Sequence, residues 1–306
     1  MDLGIIAVNA LTLACTYGRL AIGISITWSS LGLINLAYGF MFAFAGYCAW
    51  LAASHLAATG ALLVTAGILG GALAGNLVCA LAFIPIHDKP NFTLRPMIAS
   101  VAIDLIGTQT LSWYFEPRAK ALPDIFGPRQ FEYGGRVLTA TTLGARGSSL
   151  LLLATVLTWM KASRRGLEIR AMMMNPHTAA LVGIGVRRTG FCVMTLTGGL
   201  AGLAAVRLPQ IYYVSPFSGF TPLIKGLSIA LCGGLGSVTG AVIAAIILGI
   251  NEAVTAAIIG GQYVLITQFA LIIVIIVIRP RGIAGLLDRA RAACHGGRIT
   301  SAAALA

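Results

Sequence analysis

Apolar runs of membrane-spanning length follow one another along most of this chain, separated by short polar breaks. About 20 apolar residues in a helix suffice to cross the hydrocarbon core of a bilayer. The chain therefore reads as an all-α, polytopic membrane bundle. Composition agrees: 58% of the 306 residues are hydrophobic and 10% charged, against about 25% charged in soluble domains. Met1-Asp2 carries no basic n-region and the first apolar run continues past residue 20, so no cleaved signal peptide is expected.

Taken in order, the apolar segments are Leu3 to Ile26, which contains Arg19, then Phe40 to Leu51, Ala58 to Ile84, and Met97 to Tyr114, which contains Asp104. The short run from Ser149 to Met160, Thr189 to Val206, a glycine-rich stretch ending at Ile259, and Tyr263 to Ile278 follow. Phe40 to Leu51 is short and rich in Gly and Ala, as a broken or partly re-entrant segment would be. Gly67, Gly70, Gly71 and Gly75 on the third segment permit close helix packing. Because broken segments can be counted in two ways, eight to ten transmembrane or half-membrane helices are expected. Leu208 to Pro222, with three prolines, reads as a loop.

The net charge of +12 resides in the polar segments between apolar runs. That pattern fits the positive-inside rule rather than nucleic-acid binding. Residues 161–188 hold six basic side chains against Glu168, and the tail from Arg279 holds five arginines against Asp288. Both are expected in the cytoplasm. The loop 116–148 is expected outside, and 286–306 is expected to be a basic, poorly ordered tail. The six cysteines show no CxxC spacing and the four histidines lie far apart. No metal site, cofactor site or catalytic constellation is visible. With no phosphate-binding Gly-rich loop in this chain, any ATP must be hydrolysed by a partner subunit.

Two stretches carry more information than a membrane anchor needs. The first runs from Lys225 to Glu252 and is interrupted by Gly233, Gly234 and Gly236. Clustered glycines there imply an interrupted helix or a tight crossing. Lys225 and Glu252, like Asp104, would be costly against lipid and are candidates for buried structural pairs, or less directly for the pathway. The second is Glu168 to Ile184, too polar to span and too long for a minimal loop. Its apolar and small residues (Ala171, Met174, Ala179, Leu181, Val182) recur at helical spacing, and Asn175-Pro176 starts a helix. A Met-rich apolar patch in such a place suits docking to a partner, or lying on the lipid surface.

The order of Glu168, Arg170-Ala171, Ala179-Ala180 and Gly183-Ile184 resembles the cytoplasmic coupling loop of ABC importer permeases, most of all the branched-chain amino acid permease family. Three further places carry the same resemblance. Gly32-Leu-Ile-Asn35-Leu-Ala-Tyr38-Gly39 is similar to that family's Gly-x-x-Asn-x-Ala-His-Gly, with Tyr38 in place of His. Lys225 to Gly240 with Gly249-x-Asn-Glu252, and Ile278 to Gly285, resemble its glycine-rich pattern and its Arg-Pro-x-Gly ending. The resemblance covers roughly residues 5 to 285.

It implies a permease domain over 1–285 that pairs with a second homologous permease in the inner membrane, amid lipid. ABC ATPase subunits would dock beneath, and an extracytoplasmic solute-binding protein would deliver the solute. Glu168, Arg170, Ala171, Ala179, Ala180, Gly183 and Ile184 would couple to the ATPase. Asn35, Tyr38 and Gly39 would belong to the pathway, although Asn35 equally suits a helix cap. The expected cargo is a branched-chain or related amino acid. Urea or short amides, carried by permeases with the same motifs, are the alternative. An ion-coupled secondary transporter is a second alternative, and leaves the basic segment 161–188 without a purpose.

Overall fold

The computed structural model describes residues 3–56, 60–86, 94–122, 130–132, 137–139, 155, 158–207, 213–278 and 282–285. The helices are α1 (Leu3–Leu31), α2 (Tyr38–Leu56), α3 (Gly60–Val78), α4 (Leu94–Phe115), α5 (Arg164–Met174), α6 (Pro176–Leu181), α7 (Val186–Arg207), α8 (Phe220–Gly233), α9 (Val238–Ile258) and α10 (Val264–Ile278). A π-helical turn, Cys79–Phe83, prolongs α3, and a 3-10 turn, Gly261–Tyr263, precedes α10. Five stretches are long and apolar enough to cross a membrane: Asn9–Leu31, Gly60–Phe83, Val186–Arg207, Val238–Ile258 and Gly261–Ile278. Together with α2, α4 and the shorter apolar α8 they form a polytopic helical bundle. Extended pairing among the described residues is confined to a short antiparallel hairpin, β1 (Gln130–Glu132) with β2 (Val137–Thr139), inside the 116–148 loop, and an antiparallel bridge between Lys120 and Val214.

Two glycine-rich crossings organise the bundle. Helices α3 and α7 run antiparallel, with Gly67 against Gly202 and Val206, Gly71 against Gly198, and Gly75 against Met194. A Cβ at Gly71 would sit on the Gly198 carbonyl oxygen, and one at Gly202 on that of Gly67. The two backbones therefore touch, as small residues at four-residue spacing allow in lipid. Opposite them, α1 runs antiparallel to α9, with Gly249 against Ala10 and Ala14 and Gly18 against Ala245. Helices α2 and α4 run parallel, since Leu36 meets Ser100, Phe40 meets Asp104, and Tyr47 stacks on Phe115. Leu62, Leu69, Leu73, Leu77 and Leu81 lie exposed along α3 and its π-turn. Lipid solvates such an apolar stripe at no cost.

Segment boundaries differ from the sequence reading where apolarity is a poor guide. Helix α1 continues beyond Ile26 through Ser29 and Ser30 to Leu31, because both hydroxyls bond back to carbonyls of the preceding turn and so remain satisfied. The break expected within Phe40 to Leu51 lies instead at residues 32–37 before it, and α2 itself is a continuous 19-residue helix. Helix α8 begins at Phe220, within the expected loop. Pro222 is no obstacle there, since a first-turn residue needs no N–H.

Candidate translocation groove and coupling platform

The chain breaks at Gly32 and re-enters helix at Tyr38, which frees backbone amides inside the bundle. Side chains take them up. The Ala37 N–H donates to Asn35 Oδ1 at 3.0 Å, the Leu36 N–H to Ser100 Oγ at 3.1 Å, and the Phe40 N–H to Asp104 Oδ1 at 2.7 Å. Asn35 Nδ2 faces the sulfurs of Met41 and Met194 at 3.4 and 3.8 Å. Tyr38 is 1% exposed, and its hydroxyl crosses to donate to the Thr197 carbonyl at 3.1 Å. In this conformation Asn35 and Tyr38 therefore hold backbone. Gly39 is placed differently. A Cβ at Gly219 would collide with the Gly39 carbonyl, so the first turn of α2 and the turn before α8 meet backbone to backbone.

Beside that contact lies a groove of about 510 Å³, lined by residues of the break, α4 and the entry to α8. Its walls are mostly apolar (Leu36, Val101, Leu105, Phe217, Phe220, Leu223). Gly39, Asp104, Thr108, Gln109 and Thr221 interrupt them. The volume falls within the ~300–1,000 Å³ of small-molecule sites, which combine apolar walls with a few placed polar groups.

Lys225 and Glu252 form a buried ion pair at 2.7 Å between α8 and α9. The Lys225 ammonium also donates to the Tyr17 hydroxyl at 2.8 Å, and that hydroxyl donates to the same Glu252 oxygen at 3.2 Å. Sequence reasoning missed Tyr17. Its only signal was a phenol in the first span, with nothing to say which partner it meets. Gly233 closes α8, Gly234 and Gly236 form the turn to α9, and Gly234 (φ +93°) occupies a backbone region that side chains avoid. Ser237 caps α9 by accepting from Gly240 N–H. Arg19, which the sequence reading singled out, is 1% exposed. Its Nε–H donates to the Cys15 carbonyl at 3.2 Å, and neither terminal nitrogen meets an acceptor among the described residues.

At one end of the bundle α5 and α6 form a platform. Ser163 caps α5 by accepting from Gly166 N–H, and Arg165 pairs with Glu168 at 3.1 Å. Arg170 donates to the Lys161 carbonyl. Ile169 and Met172 are fully buried, and α5 packs on α1 and α7. Asn175 Oδ1 accepts from Thr178 N–H at the start of α6. Gly183 (φ +89°) closes it, with Ile184 N–H bonded to Ala179 O and Gly183 N–H to Ala180 O. That is a Schellman ending. Ala179 is buried and Ala180 exposed, Ala171 and Ile184 pack partly against the core, and Met174, Leu181 and Val182 project outward. A second cleft, of about 470 Å³, separates Met173 from Trp28, Ser29, the 234–237 turn and Ala284. The platform thus shares one end of the bundle with the C-terminal end of α1, the 234–237 turn and Ala284.

Residues 6–277 match the family model described as the branched-chain amino acid transport system / permease component. The chain belongs to that family. The permease is 28% identical over 291 residues to LivH of Escherichia coli K12, a high-affinity branched-chain amino acid transport system permease protein, covering 90% of this chain and 94% of the relative. BraD of Pseudomonas aeruginosa, with the same description, is 28% identical over 292 residues, covering 91% and 94%. The guanosine permease NupP of Bacillus subtilis is 34% identical over 108 residues, 34% of this chain and 31% of that one. Among solved structures, PsaBC from Streptococcus pneumoniae in complex with Fab shares the fold, with a TM-score of 0.50 and 13% identity over 88% of this chain and 90% of that one. The permease is accordingly a multi-pass inner-membrane component of an ABC transport system, and its family is a transport family rather than an enzyme family.

Proposed function

We propose that this permease is the translocating subunit of an ATP-driven importer for branched-chain or related amino acids, working by alternating access. It pairs with a second permease, takes solute from an extracytoplasmic binding protein, and is driven by two ATPases beneath the α5–α6 platform. The observation that carries this reading is the platform itself. One face is seated on α1 and α7 while Met174, Leu181 and Val182, 79–89% exposed, form an apolar tip beyond it. Exposed apolar patches of this kind mark docking sites. Because α5 is seated on two spans, a push at the tip would be passed into the bundle rather than absorbed locally. The wide similarity to LivH and BraD supports the amino-acid cargo. An ion-driven carrier would leave the platform without a use.

Affinity isolation from native membranes tests the assembly. A P-loop ATPase and a second permease are expected to co-purify, and uptake of L-leucine into proteoliposomes is expected to require ATP. Isolation of the chain alone, active on an ion gradient without ATP, would overturn the reading. Gly183→Arg tests the platform. It forces a side chain onto φ +89°, which costs about 1–2 kcal/mol locally, and sets a bulky cation beside the docking tip. Insertion should persist and ATP-driven uptake should be lost; uptake at the wild-type rate would sink the docking assignment.

A further inference from the structure

We propose that Asp104 is the counter-ion for the solute's α-ammonium group, so that the groove takes a small amino acid with an apolar side chain and refuses uncharged amides. The inference rests on the reading of this chain as the translocating subunit. Asp104 presents two oxygens. Oδ1 accepts from the Phe40 N–H, while the other oxygen has no protein donor among the described residues. The walls around it are mostly apolar, and among the described residues no lysine, arginine or histidine lines the groove. The described cations nearest other acids are committed there: Lys225 to Glu252, Arg165 to Glu168, Arg118 to Glu116.

A half-bonded carboxylate in such a place is costly and gains most from a cation that brings N–H donors with it. A protonated amine fits, and Thr108 and Thr221 add hydroxyl acceptors nearby. The first turn of α8 also lines the groove, and its Thr221 N–H, the amide of that turn with no acceptor among the described residues, is open to the solute's carboxylate at the positive end of the helix. Leu105, Phe217 and Phe220 remain to hold an aliphatic side chain. Urea or a short amide supplies no charge and would leave the carboxylate unpaired, which is the asymmetry that makes a polar site selective.

Asp104→Asn separates this role from a structural one, because the amide oxygen can still accept from Phe40 while the charge is gone. The complete complex, reconstituted with its binding protein, is assayed for uptake of L-leucine and of acetamide. The expected result is an Asp104→Asn complex that co-purifies with its partners in the wild-type ratio yet takes up leucine roughly tenfold more slowly or worse, the loss of one charge-assisted hydrogen bond. In parallel, modification of Thr221→Cys by a thiol reagent should be slowed by L-leucine when Asp104 is present and not in the Asp104→Asn background. Leucine uptake at the wild-type rate, or equal protection in both backgrounds, overturns the inference and leaves the importer reading intact. Failure of the variant to assemble with the second permease also overturns it, making Asp104 an interface residue. Wild-type uptake of acetamide without leucine removes the amino-acid reading itself.

Discussion

Lys225 and Glu252 are 27 residues apart in sequence and meet at 2.7 Å inside the bundle. Neither charge has water to fall back on, so each depends on the other, and the Tyr17 hydroxyl occupies a second position on both. Lys225→Met should destabilise the permease by about 3–5 kcal/mol, because Glu252 is left buried and unpaired. The double variant Lys225→Met with Glu252→Met removes both desolvation costs and should recover most of that loss. Thermal unfolding of the purified permease in detergent measures both, and a double variant no more stable than the single one would refute the pairing argument. Both charges were conspicuous in the sequence because lipid tolerates them poorly. Their pairing was not legible, since side-chain chemistry alone would have allowed Asp104 as the partner. Backbone hydrogen bonding decided otherwise and gave Asp104 to the start of α2.

A helix in a membrane is chosen by apolarity but placed by its small residues. Gly67, Gly71 and Gly75 announce a packing face on α3 in the sequence; that the opposing face is Gly198 and Gly202 of α7 follows only from the fold. The contact is backbone on backbone and has no side chain to yield. Gly71→Val should therefore separate the pair at a cost of at least the ~1–3 kcal/mol typical of overpacking. Gly199→Val, whose added Cβ would meet only Ile68 at ordinary contact distance, should cost much less. Limited proteolysis in detergent reads the difference; equal resistance would contradict the crossing. The glycines at 234–236 were likewise legible as an interruption, because φ near +90° is affordable there for glycine alone. The reach of α2 to Leu56 was less so, and what holds residues 32–37 out of helix follows only from the fold: Gly32 takes a positive φ, the Leu36 amide goes to Ser100 of α4 and the Ala37 amide to Asn35.

For the molecule as a whole, the packing registers fix the direction of α1 relative to the platform. Helix α1 points its C-terminal end at the cleft shared with Met173 and the 234–237 turn, while its N-terminal end lies beside Gly249 and the far half of α9. The start of α1 should thus face the side opposite the α5–α6 platform. In a variant freed of native cysteines, Gly4→Cys and Leu181→Cys should react with a membrane-impermeant thiol reagent from opposite sides of sealed vesicles; labelling from the same side would reverse the direction assigned to α1. The Tyr17–Lys225–Glu252 cluster has one more consequence, for biogenesis. Tyr17 precedes Lys225 by 208 residues and Glu252 by 235. Lys225 and Glu252 lie on the two consecutive helices either side of the 234–237 turn, so they can enter the bilayer as one hairpin with the pair already made. The knot therefore ties α1 to the α8–α9 hairpin, and a chain lacking that hairpin would leave Tyr17 without either partner.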